Sequence, residues 1–575
     1  MKMNSLTTLV LLVGSALSVL GYDDGTQSYF PKLTPPRSLL VVRTWADGHD
    51  PALIQNPNPH AASAEMILLQ SLSGVLLKQG CAEGIFIEPN LSHRLILRDL
   101  AQRRNVPFTY WPDLRTVWDV AAHFQTNVGA HYVRCDFSAN PGSLSISRMA
   151  AYQFNAVIVD ALIEPAAVAH GWTKVFDASD KNDQWFATNW WPTWPIKSLA
   201  VEQNNDPRRS GDATCLNDYA AATGVPAFYQ GASTPLRRTF LSGLKTDALL
   251  LGWPDADELD FTAENSNHNV SLVAANFCYN LALLSAFRDP GHLPLAQAAT
   301  TGPLAETNVH YATFVFTDGD NVQWFHNAFL SQTQWWASPH RGTVPLGWGI
   351  SPTLRDISPT IVEHLYADAA VSHPPTDVFL AMSPVGYCYP SLMSAETRAT
   401  NALRLARYMR DLGLHLLIVL DKAGFEKPAT YEPYLRQREI DGIFYWDVAG
   451  DYAKYRGSVR WENHKPIISA FTAMWGEQGP AQVATALNQR PRNPHLSEGY
   501  SMVAVHAWSH DVESVRQCMQ MLGPHVRVVT PDAFVSLLNR NVGKNRAHIA
   551  TANRKVDSFP PPASERGNHT NQAWP

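Results

Sequence analysis

Residues 313–324 read Thr-Phe-Val-Phe-Thr-Asp-Gly-Asp-Asn-Val-Gln-Trp, an apolar run that stops at two carboxylates, Asp318 and Asp320, separated by one glycine. In α/β folds catalytic groups gather where strands end at their carboxyl edge. Two acids placed there can divide the work of breaking a glycosidic bond, one protonating the leaving oxygen while the other serves as base or nucleophile. Asp-Gly-Asp-Asn is equally the chemistry of a turn that caps a following helix. Later apolar runs end in a similar way. Their ends carry Trp348 and Ser351, Tyr387 and Tyr389, Asp421, Trp446 with Asp447, Trp475 with Glu477, and His506-Ala-Trp-Ser-His510 with Asp511. Acids and aromatic rings dominate, and rings supply flat apolar faces on which sugars stack. We assign Asp318 or Asp320 as one catalytic carboxyl, Asp447 or its neighbour as the other, and His506 as a proton shuttle or hydrogen-bond partner. Trp324, Trp348, Tyr387, Tyr389, Trp446 and Trp508 are the expected sugar-lining rings. Asp421 and Asp447 have helix capping as an equal alternative. His506 and His510 have the spacing of a metal pair on a helix. His506 follows a strand, however, so the reading is one functional histidine, no metal site and no cofactor.

These residues must be positioned by α/β elements. From Tyr311 onward apolar runs recur at 312–316, 344–350, 378–382, 414–420, 442–446, 466–471, 502–505 and 526–529, with helical patterns between several of them, notably 395–412. Seven or eight such strands fit a (β/α) barrel over 301–541. Upstream, apolar runs at 38–42 and 84–88 flank a helical pattern at 61–79, which is βαβ logic for parallel sheet. The alternation returns through 117–124, 132–135 and 155–159, and again in 247–253 with a helix expected around 272–287. The fold class is therefore α/β, with an N-terminal multi-part region divided at 22–108, 109–165 and 166–300. Its last part ends in a Pro/Gly/Ala linker at 290–303, and a flexible tail is expected over 542–575.

Composition narrows the function. With 45% hydrophobic and 17% charged residues over 575 positions, the chain is globular and long enough for several cores. A net charge of -6 without a Lys/Arg block lacks the footprint of a nucleic-acid binder. No G-x-S-x-G elbow, P-loop, strand-borne G-x-G-x-x-G or H-E-x-x-H occurs, which leaves serine-hydrolase, nucleotide and zinc-protease mechanisms without support. Lys2 followed by an apolar run from Leu6 to Leu20 and Gly21 reads as a secretory signal over 1–21, so a secreted protein without membrane spans is expected. Asn90, Asn269 and Asn568 head sequons that would carry glycans in a eukaryote. The six cysteines show no C-x-x-C pair and define no disulfide framework.

Val385-Gly-Tyr-Cys-Tyr-Pro390 together with Phe316-Thr-Asp-Gly-Asp-Asn321 resembles the GxGYxYP family of putative glycoside hydrolases, with Pro384 where the first signature glycine would stand. Gly252-Trp-Pro and Asp260 fall in a similar order ahead of the signature. The resemblance spans nearly the whole mature chain and implies an N-terminal multi-part α/β region followed by a barrel. The barrel is also distantly similar to polysaccharide deacetylases, with Asp318/Asp320, Tyr387/Pro390 and His506 in comparable places. Trp348-Gly-Ile-Ser-Pro352 lacks the His-x-x-x-His ligand pair of that family. The expectation is a secreted hydrolase of poly- or oligosaccharides. One alternative is a deacetylase in which Asp320 and His506 help hold a divalent cation; another is a glycan-binding protein without catalysis.

Overall fold

A computed structural model describes residues 28–44, 56–112, 116–288, 294–297, 306–369, 376–449 and 452–555. The expected signal at 1–21, most of the 290–303 linker and Asn568 lie outside the described residues.

Three small parallel sheets form the N-terminal region. In the first, β1 (Ser38–Arg43) runs between β2 (Glu83–Glu88) and β3 (Phe108–Tyr110). In the second, β4 (His131–Cys135) runs between β5 (Val157–Asp160) and β6 (Thr173–Asp177). The helix Pro59–Lys78 lies between them: Ser73 Oγ donates to Ile85 O at 3.2 Å, and Ser71 Oγ accepts from Ile158 N at 2.8 Å. Its apolar length would cross a bilayer, but two-thirds of it is buried, and Gln70, Ser71 and Ser73 sit inside, as in a shared core helix.

The third sheet orders β7 (Leu199–Glu202), β8 (Ala227–Phe228), β9 (Ala248–Gly252) and β10 (Val270–Val273) as β10-β9-β7-β8, all parallel. The helix expected around 272–287 is corrected here. Val270–Val273 is a strand paired with β9, and the helix is confined to Leu281–Ala286. A short, fully buried parallel strand has no solvent face, so its sequence shows no period that separates it from a buried helix.

The C-terminal region is a closed barrel of seven parallel strands: β11 (His310–Phe316), β12 (Leu346–Ile350), β13 (Asp377–Met382), β14 (Leu416–Asp421), β15 (Gly442–Asp447), β17 (Lys465–Met474) and β18 (Tyr500–Val505). Closure between β11 and β12 takes only the pairs Val315↔Gly347 and Phe316↔Trp348. The lower half of β11 pairs instead with β19 (Val526–Val528), the eighth expected strand, which stands outside the closed ring. An antiparallel strand not anticipated from the sequence, β16 (Val459–Glu462), folds back on β17. Alternate residues of each strand divide between two cores, Leu416, Ile418 and Leu420 clustering inside the barrel and Leu417 and Val419 in the layer under the helices. Where a flexible tail is expected beyond Asn541, the chain first continues into the helix Arg546–Lys555, and Asn553 Oδ1 accepts from Trp461 N at 3.1 Å.

Two sequons are built into this framework. Asn90 Oδ1 caps a helix by accepting from His93 N at 3.1 Å, and Asn269 Oδ1 accepts from Ser394 N at 2.8 Å. Ser92 and Ser271 of the same sequons are fully buried, while both asparagines remain partly accessible. All six cysteines are free thiols.

Candidate active site

The loop after β11 is held tightly. Asp318 adopts a left-handed φ of 65°, which breaks the in-out alternation of the strand. Gly319 then crosses β12 so closely that a Cβ would lie 1.7 Å from Gly349 O, and only glycine fits. Asp318 Oδ1 accepts from Trp508 Nε1 at 2.9 Å, and its other oxygen accepts from Thr317 Oγ1. Asp320 Oδ2 accepts from Ser383 Oγ at 2.6 Å. Burial raises Asp318 from 3.8 to about 6. Asp320 also rises to about 6, through burial first and the Asp318 charge second.

The third sheet sends a further carboxylate to this mouth. β9 ends at Gly252, whose φ of 124° and near contact with Glu202 O (2.0 Å from a would-be Cβ) turn the chain toward the barrel. Asp257 caps the helix Glu258–Asn267, accepting from Leu259 N at 3.0 Å and Asp260 N at 3.1 Å. Glu258 Oε1 accepts from Tyr387 Oη at 2.8 Å. The residue remains partly accessible while its carboxyl is closely surrounded, and burial raises it from 4.5 to about 7. The Tyr387 hydrogen bond pulls the other way, and the charges of Asp318 and Asp320 add to the rise.

The signature loop joins the two bodies. Gly386 takes a φ of 87°, where a Cβ would stand 3.0 Å from Leu272 O. Tyr387 forms a two-way antiparallel bridge with Leu272 of β10, with N···O distances of 2.9 and 2.6 Å. Tyr389 N donates to Ser266 Oγ at 2.8 Å. Trp253, after β9, lies parallel to Tyr387 with 6.5 Å between ring centres. The carboxyl ends of the third sheet and of the barrel therefore meet at this loop, as strand ends of α/β sheets do at binding sites.

A row of rings adjoins the acids. Tyr452 faces them, its hydroxyl raised by burial and by the charges of Asp318, Glu258 and Asp320. It meets Trp475 edge-on at 4.9 Å, and Trp475 stacks on His506 at 3.8 Å. His506 Nδ1 is 2.8 Å from Ser509 Oγ. Tyr452, Trp475, His506, Trp508 and Trp253 are all partly accessible.

The expected site residues thus separate into those the fold brings together and those it does not. Asp318, Asp320, Tyr387, Tyr389 and Trp508 converge, and His506 connects to them through Trp475 and Tyr452. Trp324, Trp348, Trp446 and Tyr389 are corrected from sugar-lining rings to core rings, each no more than 1% exposed. Trp348 faces the helical layer, stacked on Phe316 with Nε1 donating to Asp377 Oδ1 at 2.8 Å. Trp324 packs against Phe329 and Trp335, and Trp446 lies under Tyr452 at 5.6 Å. Asp447 is likewise set apart. It follows the inward Trp446, so strand alternation turns it outward, where it is buried, accepts from Ala449 N at 3.1 Å and has Lys454 Nζ at 3.7 Å. The charges that act on it are those of Lys454 and Asp421. Asp421 is a structural acceptor for Tyr431 Oη at 2.7 Å and Ser391 N at 2.9 Å.

Glu258 escapes a strand-end reading of the barrel because it belongs to another sheet. A signal for it exists in the sequence, since the apolar run 248–252 also ends in an acid-rich turn, Asp255-Ala-Asp-Glu-Leu-Asp260. Among the described residues, no group of three or more His, Cys, Asp or Glu side chains is arranged to hold a metal ion.

Comparison with known proteins agrees with this architecture. No curated protein matches the chain. The crystal structure of a "putative hydrolase" from Bacteroides thetaiotaomicron superposes with a TM-score of 0.78 over 91% of this chain and 100% of that one, at 24% identity, a likeness of fold. Residues 197–286 match the GxGYxYP third domain, and residues 308–539 match the GxGYxYP putative glycoside hydrolase C-terminal domain. These two matches cover the sheet that carries Glu258 and the barrel that carries Asp318, Asp320 and the signature tyrosines: the chain belongs to the GxGYxYP family.

Proposed function

We propose that the protein hydrolyses glycosidic bonds in an exported poly- or oligosaccharide-degrading role, with Asp318 and Asp320 at the centre of the site. The observation that carries this reading is the convergence of Asp318, Asp320 and Glu258 beside Tyr452 and Trp508, each carboxyl raised by burial into the range of 6 to 7. Like charges enclosed together cannot all ionise at once, so near neutral pH some of these carboxyls are protonated while others are charged. Glycoside hydrolysis needs that mixture: a neutral acid for the leaving oxygen and a carboxylate for the positive charge that develops at the anomeric carbon. Tyr452, Trp475, Trp508 and Trp253 offer accessible ring faces for sugars on either side of the acids. The apolar run from Leu6 to Leu20 behind Lys2 supports export, and the amino terminus of the mature protein should begin near residue 22.

The test is a broad oligosaccharide panel scored for new reducing ends. Wild type is expected to release product, and Asp318→Asn and Asp320→Asn to lose about 100-fold or more. Full activity in both variants would remove the assignment, and glycan binding without product release would make the protein a binding module.

A further inference from the structure

The helix Glu258–Asn267 belongs to the third sheet, yet its first residue enters the barrel mouth and is gripped there by the signature loop. Resting on the glycosidase reading above, we infer that Glu258 is the proton donor to the leaving group, delivered across the domain boundary, and that Tyr387 is the residue that positions it.

Four observations carry this. Glu258 has its backbone on a capped helix start, which fixes where the side chain originates. One oxygen of its carboxyl is held by Tyr387 Oη at 2.8 Å. Tyr387 itself is held in place, because its backbone is bridged to Leu272 and the preceding Gly386 takes a left-handed conformation in which a side chain would be strained and crowded. Finally, Glu258 is partly accessible while its carboxyl is enclosed, as a group that must touch substrate yet remain neutral requires.

The charged and titratable groups around it point the same way. Asp318 and Asp320 face it from the β11 loop, Tyr389 and Tyr452 from two further loops, and Asp257 from its own helix. The cation on this side, Lys422, donates instead to Leu259 O at 3.1 Å and lies 5.3 Å from the Tyr389 ring. The acidic surroundings keep the proton on Glu258. Asp318 and Asp320, facing it from the β11 loop, are then assigned the negative charge.

In the step itself the C1–O bond breaks with its electron pair going to the glycosidic oxygen. That oxygen takes the Glu258 proton and leaves as an alcohol. Water adds its hydroxyl to C1 and gives its proton to an Asp318 or Asp320 carboxylate, and exchange with solvent restores both groups. The sum is one glycoside plus water giving one alcohol and one free sugar. The signature tyrosine thereby does more than fill its loop, since it locks a donor from one domain over the nucleophilic side of another.

The experiment compares phenyl with 2,4-dinitrophenyl glycosides, whose leaving groups do and do not need a proton. Glu258→Gln, nearly isosteric, should lose about 100-fold or more on the phenyl glycosides and under about 5-fold on the dinitrophenyl ones. Equal losses on both overturn the inference. Tyr387→Phe removes a hydrogen bond that favours the charged form, so the alkaline limb of kcat/KM should move up by about half a pH unit or more. A limb that stays in place, or moves down, overturns the positioning role, because mere loosening does not raise that limb. Asp318→Asn and Asp320→Asn should lose activity on both substrate types. If they do and Glu258→Gln shows no leaving-group dependence, this inference alone falls. If wild type cleaves neither substrate type across the sugar panel, it falls together with the glycosidase reading.

Discussion

Replacing Asp320 by asparagine should stabilise the protein at pH 8 and do almost nothing at pH 4. Asp320 is 9% exposed, and its carboxyl is raised from 3.8 to about 6, chiefly by burial. A group whose folded-state value lies above its unfolded value contributes stability that is fully present below the unfolded value and is lost as pH rises through the folded one. The window is therefore about 4 to 6, and above it the wild-type fold carries an enclosed charge it would be better without. A rise of roughly two units corresponds to about 3 kcal/mol, at about 1.36 kcal/mol per unit. This is an upper bound, since Ser383 and the coupling to Asp318 readjust around the amide. In the Asp320→Asn variant the amide oxygen can still accept from Ser383, so the local geometry has no reason to collapse. Urea unfolding at pH 4 and pH 8 measures the difference directly, and the midpoint should shift at pH 8 only. Thermal melts should show a gain of roughly 6 to 12 °C for a domain of about 150 to 250 residues unfolding as a unit. An Asp320→Asn protein less stable than wild type at pH 8, or equally shifted at both pH values, would refute the claim that this carboxyl is held at a cost. A stability gain paired with lost hydrolysis is the signature of a group kept for function.

Three further outcomes follow from the geometry. Gly319→Ala places a methyl 1.7 Å from Gly349 O, so the β11 loop must move; activity should fall about 100-fold or more in a protein whose far-ultraviolet circular dichroism is unchanged. Arg237→Met leaves the fully buried Glu202 without the guanidinium that bonds it at 2.8 Å through both Nε and Nη2, and should cost about 3 to 5 kcal/mol in chemical denaturation. Dialysis against EDTA should leave hydrolysis unchanged, whereas activity restored only by an added divalent cation would favour the deacetylase alternative.

The barrel was legible because its strands are short apolar runs punctuated by turns and separated by helical periods. All eight expected runs coincide with observed strands, seven of them closing the ring. The position of Asp318 and Asp320 at the first strand end was legible for the same reason. Orientation was not. Strands buried on both faces are apolar throughout, so nothing in Leu346-Gly-Trp-Gly-Ile350 or Gly442-Ile-Phe-Tyr-Trp-Asp447 says which residues point inward. Trp348 and Asp447 consequently fell on the wrong side of the wall.

Within each segment, then, the order of residues determined the elements, their sequence along the chain and the acid turn that ends β11. The partnership between Glu258 and the barrel acids was decided by tertiary structure alone. It depends on β10 bridging Leu272 to the distant Tyr387, and on Gly386 allowing the two backbones to meet. Local periodicity reports which face of an element is buried. It carries no information about which distant element comes to cover it, because that choice is made by the shape of the assembled surfaces.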